Sequence, residues 1–421
     1  MRATHQAIQA GFVAMLAAAT PAAALQQSVA LPRETRELHE RPADVFSVGA
    51  EEGESWELLS HVLDAAFDEA GSLYVLDAGS FRVLVFDAEV NFMRQIGGQG
   101  DGPGEITFPT GLVVTNTGSV VVADMGRSAF TVFSRDGTYQ RQVPWSDGAL
   151  AVRGIETDGS GGVLVRMNPS FRLSPGQDAT TLPNKAAIRH FAMKDGADFT
   201  TLFEFELPRP QITSSGGANQ QRVQVRLASP TFSPEVSWGS LPSGGVALVD
   251  GVEYEVRIMD AGGTPVRTIT RDEKPREVTE RDRDRARERQ RAVLAGETPG
   301  PSGVRVSNDN GRMSYGFASP AAMPPEQIEQ RIREMQFADI LPLISGISTD
   351  PVGRIWVERT TTEGANGPIE LITDEGRYIG TVRGIARPAA VSRDGGRAAW
   401  IETDELGVER VVVRSLPAAW M

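Results

Sequence analysis

Apolar residues between Val62 and Val143 recur with a period of two, Leu73 with Val75 and Val83 with Val85. The runs are short and close on turn residues such as Asp87 to Glu89 and Asp136-Gly137. Alternation of this kind marks strands rather than helices. The pattern is also duplicated. DEAGSLYVLDAGSFRVLVFD (68–87) is followed by NTGSVVVADMGRSAFTVFSRDG (116–137), and Gly71 to Gly118, like Asp77 to Asp124, is a step of 47 residues.

That period fits one blade of a β-propeller, a unit of four short antiparallel strands. Further copies run through 153–167 with 187–205, 240–270, 347–359 with 368–382, and 391–403 with 407–416. The last copy stops one strand short. Val45 to Val48 supplies a surplus strand, because 43–71 resembles the segment before the second repeat, 91–118. The count predicts an all-β, six-bladed propeller over 45–416, closed by an N-terminal strand, after a lead-in at 25–44 and before a tail at 417–421. Closure leaves no open sheet edge, the feature that invites aggregation. A monomer is expected.

The repeat glycines Gly71, Gly118, Gly161, Gly244, Gly353 and Gly396 are spaced by 47, 43, 83, 109 and 43 residues. The two long steps hold insertions at 168–186, 207–235 and 271–342. The first two are rich in proline, serine and glycine and read as loop. Within the third, 278–296 predicts a helix with Thr279 as N-cap and Gly296 as its stop. Its alternating charges leave almost no apolar stripe, so it is expected to be solvated and held by ion pairs along its own surface. A second helix over 324–337 carries Ile328, Ile332 and Met335 on one face and is expected to dock.

Composition supports the all-β reading, with 44 glycines and 26 prolines. Net charge is −13, which disfavours nucleic acid. Only Lys185, Lys194 and Lys274 are lysines, and the remaining basic residues are arginines, a bias that codon usage explains. Arg2, an apolar run from Gly11 to Ala19 and the small residues Ala22 to Ala24 read as a signal peptide cut after Ala24. The run is too short to span a membrane. With zero cysteines there is neither a disulfide nor a lipid-modified cysteine. A periplasmic or secreted protein without a membrane span is expected.

GGQGDGPGEITFPTGLVVTNTGSVVVADMG (97–126) resembles the NHL-repeat pattern, in which a glycine-rich loop and a proline lead into an inner strand. DAGSFRVLVFD (77–87) is similar to the continuation of that pattern, including Arg82 five residues after Asp77. The chain thus resembles the secreted bacterial six-bladed β-propellers. The resemblance implies that the Asp77 and Arg82 positions tie down a blade corner. The second repeat has Ala129 in place of the arginine, which leaves Arg127 as a shifted partner for Asp124. The glycine run 97–105 is not a phosphate loop, since no Gly-Lys-Ser/Thr and no helix follow it.

Enzymatic constellations are sparse. His39, His61 and His190 are widely separated, and no HExxH, EF-hand or Gly-x-Ser-x-Gly pattern occurs. Carboxylates at Asp68, Asp158, Asp350 and Asp394 fit turn-making. The leading expectation is a non-catalytic binding or scaffold propeller for a peptide, glycan or partner protein. The alternative, by analogy of fold, is a metal-dependent hydrolase or lyase of the gluconolactonase-like type, for which no ligand set can be placed. The repeat register sends all three insertions to one face, and near the channel mouth on that face it places His61, Arg153, Arg166, Trp238, Arg359 and Arg387. Guanidinium groups there favour a carboxylate- or sulfate-bearing ligand. The competing reading pairs these arginines with the corner carboxylates Asp77, Asp124, Asp250 and Glu402.

Overall fold

The structure is a computed structural model that describes residues 27–421, apart from 146–148, 171–180, 194–197, 210, 216–221, 227–228, 299–302, 310–311, 319–321, 364–365 and 405. The expected signal peptide at 1–24 lies outside the described residues. Six antiparallel sheets form the blades of a propeller. Blade 1 consists of Val62–Phe67, Leu73–Asp77, Arg82–Phe86 and Phe92–Gly97, and blade 2 of the equivalent strands from Pro109–Val114 to Tyr139–Pro144. Blades 3, 4 and 5 begin at Leu150–Thr157, Ser237–Ser240 and Ile344–Thr349, each the inner strand of its sheet.

All five residues of Leu73–Asp77, and likewise of Val120–Asp124, are buried, so the middle strands have no solvated face. Successive side chains of a strand point to opposite faces. Here each face packs on a different neighbour. Leu73 and Val75 join Val411 and Val413 in the core between blades 6 and 1, whereas Tyr74 and Leu76 join Val120 and Val122 between blades 1 and 2. Four similar clusters fill the other gaps between blades. The hydrophobic core is therefore a ring of six inter-blade cores.

The turn between the first and second strands fixes the repeat. Gly71, Gly118, Gly244 and Gly353 all take φ near +82 to +84°, and each donates its N–H to the residue three before it. A residue with a Cβ is strained in that region, which is why glycine marks the repeat. In blade 6 the equivalent residue is Gly395, at φ +71° and bonded to the Ser392 carbonyl, rather than the expected Gly396. The turn carboxylates also fasten the sheet. Asp350 accepts from Arg354 Nε at 2.6 Å and from Trp356 Nε1 at 3.0 Å, and Asp158 meets His190 Nε2 at 2.7 Å.

Closure follows the strand count. Ala43–Val48 is the outer strand of blade 6 and pairs antiparallel with Glu409–Ser415. The preceding lead-in is not merely polar chain. Gln27–Ala30 adds a fifth, parallel strand to the outside of blade 4, and Glu37 bridges Thr381 on the outer strand of blade 5. Leu31 and Leu38 are buried in the cores between blades 4 and 5 and between blades 5 and 6. Residues 27–48 thus strap three consecutive blades. At the other end, Trp420 is fully buried against Trp356, with its carbonyl held by Arg354.

The insertions contain more structure than the sequence predicted. Gln211–Ser215 pairs with Arg222–Arg226 where loop was expected, and Gly303–Asp309 pairs with Arg312–Ala318 inside the largest insertion. Helix α1 (Glu280–Ala295) has the expected ends, a Thr279–Asp282 capping box and Gly296 in the left-handed region. Helix α2 (Pro325–Arg333) buries Ile328 and Ile332, while Met335 falls beyond its end. Helix α1 buries only Asp282 and Ala286 and carries the expected ion pairs along its own surface, such as Arg287 with Asp284 at 2.8 Å, but it docks as well. It does so through polar contacts: Arg289 Nη1 donates to the Thr362 carbonyl at 2.7 Å, Arg285 pairs with Glu363 at 2.9 Å and Arg291 with Glu329 of α2 at 2.9 Å.

Removing residues 27–48 should uncover the outer edge of blade 6 and open three inter-blade cores, those that hold Leu31, Leu38 and Val48. We expect association or a lowered melting midpoint in sedimentation and calorimetry, beyond the roughly 2–5 kcal/mol of one buried Leu→Ala change at Leu38. A truncated protein that stays monomeric with an unchanged midpoint would contradict the closure.

Candidate functional site

Strand direction reverses along each blade, so loops after the second and fourth strands emerge together. Segment 169–184 follows the second strand of blade 3, while 207–236 and 271–343 connect blades 3 to 4 and 4 to 5. All three insertions therefore rise from one face. Three adjoining cavities lie there. The first, about 620 Å³, opens between the N-terminal half of α1 and the loop 359–363 of blade 5. It shares Pro342, Thr360 and Thr361 with a second of about 230 Å³, which shares Ser233 and Glu235 with a third of about 500 Å³. Together they make a groove across blades 5, 4 and 3.

Of the six expected site residues, Arg359 lines the first cavity and Arg166 the third. His61, Trp238 and Arg387 line none of the three. The Arg166 Nε donates to Asn168 Oδ1 at 3.2 Å, and its guanidinium lies 5.0 Å from the Phe205 ring. Burial lowers its pKa, and the charge of Glu235 opposes that shift. His61 Nδ1 meets Glu409 at 3.2 Å, a tie between blades 1 and 6. Arg387 donates to Glu358 at 3.0 Å and to the Ile347 carbonyl at 2.6 Å, joining blades 6 and 5. Trp238 packs against the core between blades 3 and 4. Arg153 belongs to the inner strand of blade 3, and its side chain lies outside the described residues.

The corner carboxylates are met by arginines other than the candidate site arginines. Asp77 pairs with Arg82, as the resemblance implied, and Arg82 Nη2 also holds the Ser55 and Leu58 carbonyls. Arg127 Nε stands 3.6 Å from Asp124. Asp250 pairs with Arg257, and Glu402 with Arg414. The glycine-rich loop is occupied by its own groups: Gly102 N–H donates to Glu105 at 2.6 Å, while Arg127 Nη2 donates to the Gly100 and Gly102 carbonyls. An anion there would have to displace the Glu105 carboxylate.

Beneath the first cavity lies a buried polar network that the sequence reading missed. Glu370 accepts from Tyr254 Oη at 2.6 Å, Arg359 Nη1 at 2.9 Å and Arg271 Nη2 at 3.0 Å. Arg271 Nη1 continues to the Pro32 carbonyl of the N-terminal strap, and Arg359 Nη2 to the Glu273 carboxylate. Burial works against the Arg359 charge, but Glu370 and Glu273 outweigh it and hold its pKa above the ordinary value. Burial, aided by the Glu370 charge, pushes the Tyr254 phenol well above its ordinary range. The signal for this residue was a lone carboxylate inside an apolar run, IELIT (369–373).

The central channel holds a further cavity of about 370 Å³, lined by the inner strands of all six blades. An inner strand is a sheet edge, so its channel-side N–H groups need partners. Side chains of the preceding blade supply some of them. Asp64 accepts from Leu112 N at 2.9 Å, Glu156 from Ser240 N, and Ser237 Oγ from Ile347 N at 2.8 Å. Glu156 stands half-buried among the inner strands, and the desolvation there raises its pKa against the opposing bonds from Ser240 and Thr349. Among the described residues, no three His, Cys, Asp or Glu side chains form a metal-binding group.

A family model described as a six-bladed β-propeller matches residues 61–153. The chain folds as a six-bladed β-propeller. It is 30% identical over 103 residues to the human E3 ubiquitin-protein ligase NHLRC1, a match over 23% of this chain and 24% of that protein. The chain thus spans about a quarter of the length of the curated relative it matches. Among solved structures, a gluconolactonase from Xanthomonas campestris aligns at 12% identity over 85% of this chain and 87% of its own, with a TM-score of 0.38. A Bacteroides fragilis protein described as exported aligns at 11% identity over 93% and 100%, with a TM-score of 0.43. Regucalcin, a calcium-binding protein from Agrobacterium tumefaciens, aligns at 12% identity over 93% and 98%, with a TM-score of 0.38.

Glu370→Ala should destabilise the protein by about 3–5 kcal/mol, because it strands two arginines in the interior. Glu273→Ala, which removes a half-exposed partner, should cost no more than about 1 kcal/mol. Equal losses in chemical denaturation would disprove the keystone role of Glu370. A second expectation concerns pH. A carboxyl whose folded pKa is raised binds more protons when folded, so its contribution falls as pH rises from the ordinary carboxylate range toward the raised value. Glu156→Gln should therefore raise the melting midpoint at pH 7 more than at pH 4, whereas a pH-independent difference would contradict the shift.

Proposed function

We propose that the protein is an extracytoplasmic, non-catalytic binding or scaffold propeller that takes an extended ligand, a peptide, glycan or segment of a partner protein, along the insertion-face groove. The observation that carries this reading is the continuity of the three cavities, from Arg359 at one end to Arg166 at the other, walled by insertions from a single face. A groove of that length suits a polymer better than one compact small molecule, whose pocket encloses most of its surface. The extracytoplasmic setting rests on the N-terminal pattern of Arg2, the apolar run to Ala19 and the small residues before Leu25. No helix among the described residues is long and apolar enough to cross a membrane.

In this reading Arg166 and Arg359 contact the ligand, and His61, Trp238 and Arg387 hold the blades beneath it. Arg153 stays a candidate contact from the inner strand of blade 3. Arg166 is the cleaner probe, since Arg359 also serves the buried network. A peptide and glycan array identifies the ligand, and hydroxyl-radical footprinting locates it. Protection is expected on 229–236, 343–345 and 358–363. Arg166→Ala should weaken binding about tenfold or more, the worth of a charge-assisted hydrogen bond, with the fold intact. Protection of the opposite turns instead, such as Asp136-Gly137 or Asp374 to Gly376, would overturn the assignment of the face.

A further inference from the structure

We infer that the first cavity is a binding site for a compact multivalent oxyanion, a di- or tricarboxylate or a phosphate- or sulfate-bearing group, within the insertion face already proposed as the binding face. It rests on that reading for its setting but on separate observations for its chemistry. The protein as a whole carries a net charge of −13. The walls of this cleft are the reverse: Lys274, Arg276, Arg281, Arg285 and Arg359 face it against Glu273, Asp282 and Glu363.

Pairing leaves a definite remainder. Arg276 is taken by Asp282, Arg285 by Glu363 and Arg359 by Glu273. Lys274 and Arg281, both exposed, have no carboxylate partner among the described residues. Arg281 is also poorly placed for the helix itself. It sits in the first turn of α1, at the positive end of the helix dipole, with the like-charged Arg285 one turn later. An anion in the cleft relieves both repulsions. The helix N-terminus is not the source of the affinity, because Thr279 and Asp282 already cap it.

A neutral donor completes the set. Thr360 lines the same cleft, and its hydroxyl oxygen, shielded from solvent, has no hydrogen-bond partner among the described residues. Two unanswered cations and an orphan hydroxyl match a ligand with at least two acidic oxygens, since a single carboxylate would leave one cation unanswered. The volume of about 620 Å³ leaves room for the group that carries them.

The test uses the intact protein, with calorimetric titration and melting midpoints at constant ionic strength set by sodium chloride. Citrate forms the carboxylate arm; inorganic phosphate and sulfate form the other, and the stronger response tells the two sources apart. At least one arm should raise the midpoint above the chloride control, as any ligand of the folded state does. The Lys274→Gln/Arg281→Gln variant should bind at least about tenfold more weakly, the effect of losing charge-assisted bonds. Its ligand-free midpoint should not fall. Lys274→Arg/Arg281→Lys, which keeps both charges, should retain most of the binding, and Arg393→Gln on the opposite face should bind as the parent does. No response beyond chloride in either arm, or an equal response in the glutamine variant, overturns the site. If the array ligand still footprints in the groove while both arms fail, only the oxyanion cleft is lost. A footprint on the opposite turns sinks the wider reading.

Discussion

Everything in this molecule depends on strands that bury both faces. Tyr74 and Leu76 point into one inter-blade core and Leu73 and Val75 into the next, so no blade has a core of its own. A sheet with two apolar faces is stable only when both neighbours are present. The ring must therefore close, and the last gap falls between blades 6 and 1. There the N-terminal strand Ala43–Val48 covers the outer edge of blade 6, while Glu409 accepts the Val62 N–H at the start of blade 1. Packing thereby sets topology, and topology decides which loops share a face.

The polar interactions do a different task from the apolar ones. Apolar burial is non-directional and holds the blades together without fixing how they are turned. Directional bonds fix that. Asp64, Glu156 and Ser237 bond the inner strand of the next blade beside the channel, and Arg82 and Arg127 pin the corner loops. Glu370 then joins blades 4 and 5 to the N-terminal strap and, through Arg359, to the largest insertion. The groove is consequently mounted on a buried and densely hydrogen-bonded base, the condition under which exposed loops can hold a precise arrangement of charges.

The parts that were legible in the sequence are those written locally and repeated. Strand runs and the glycine turn recur at fixed spacings, and repetition separates such signals from noise; the Thr279 cap of α1 and the Asp77–Arg82 corner are each written within a few residues of sequence. The strap was hidden because Gln27–Ala30 is a short, mostly exposed strand that pairs with residues some 240 positions away. Docking of α1 was hidden for a related reason. It rests on Arg285, Arg289 and Arg291 reaching carboxylates and a carbonyl, and such contacts leave no hydrophobic stripe to read. The site was half legible. The register put the insertions on one shared face, as the strand order has them, but which arginine meets which carboxylate depends on distances that only the folded ring defines. Arg359 therefore turned toward Glu370 and Glu273, and Asp250 was left to Arg257.

Because closure positions every other feature, the most direct measurement is a cross-link at the seam. The chain has no cysteine, so Ala43→Cys with Ser415→Cys creates a single possible disulfide within the monomer, between residues that are register partners. Paired strands place such residues at a separation a disulfide can span. On mild oxidation the bond should form within one molecule and to near completion, the melting midpoint should rise, and reduction should reverse both. Free thiols after oxidation, or a cross-link only between molecules, would show that the first strand does not close the ring.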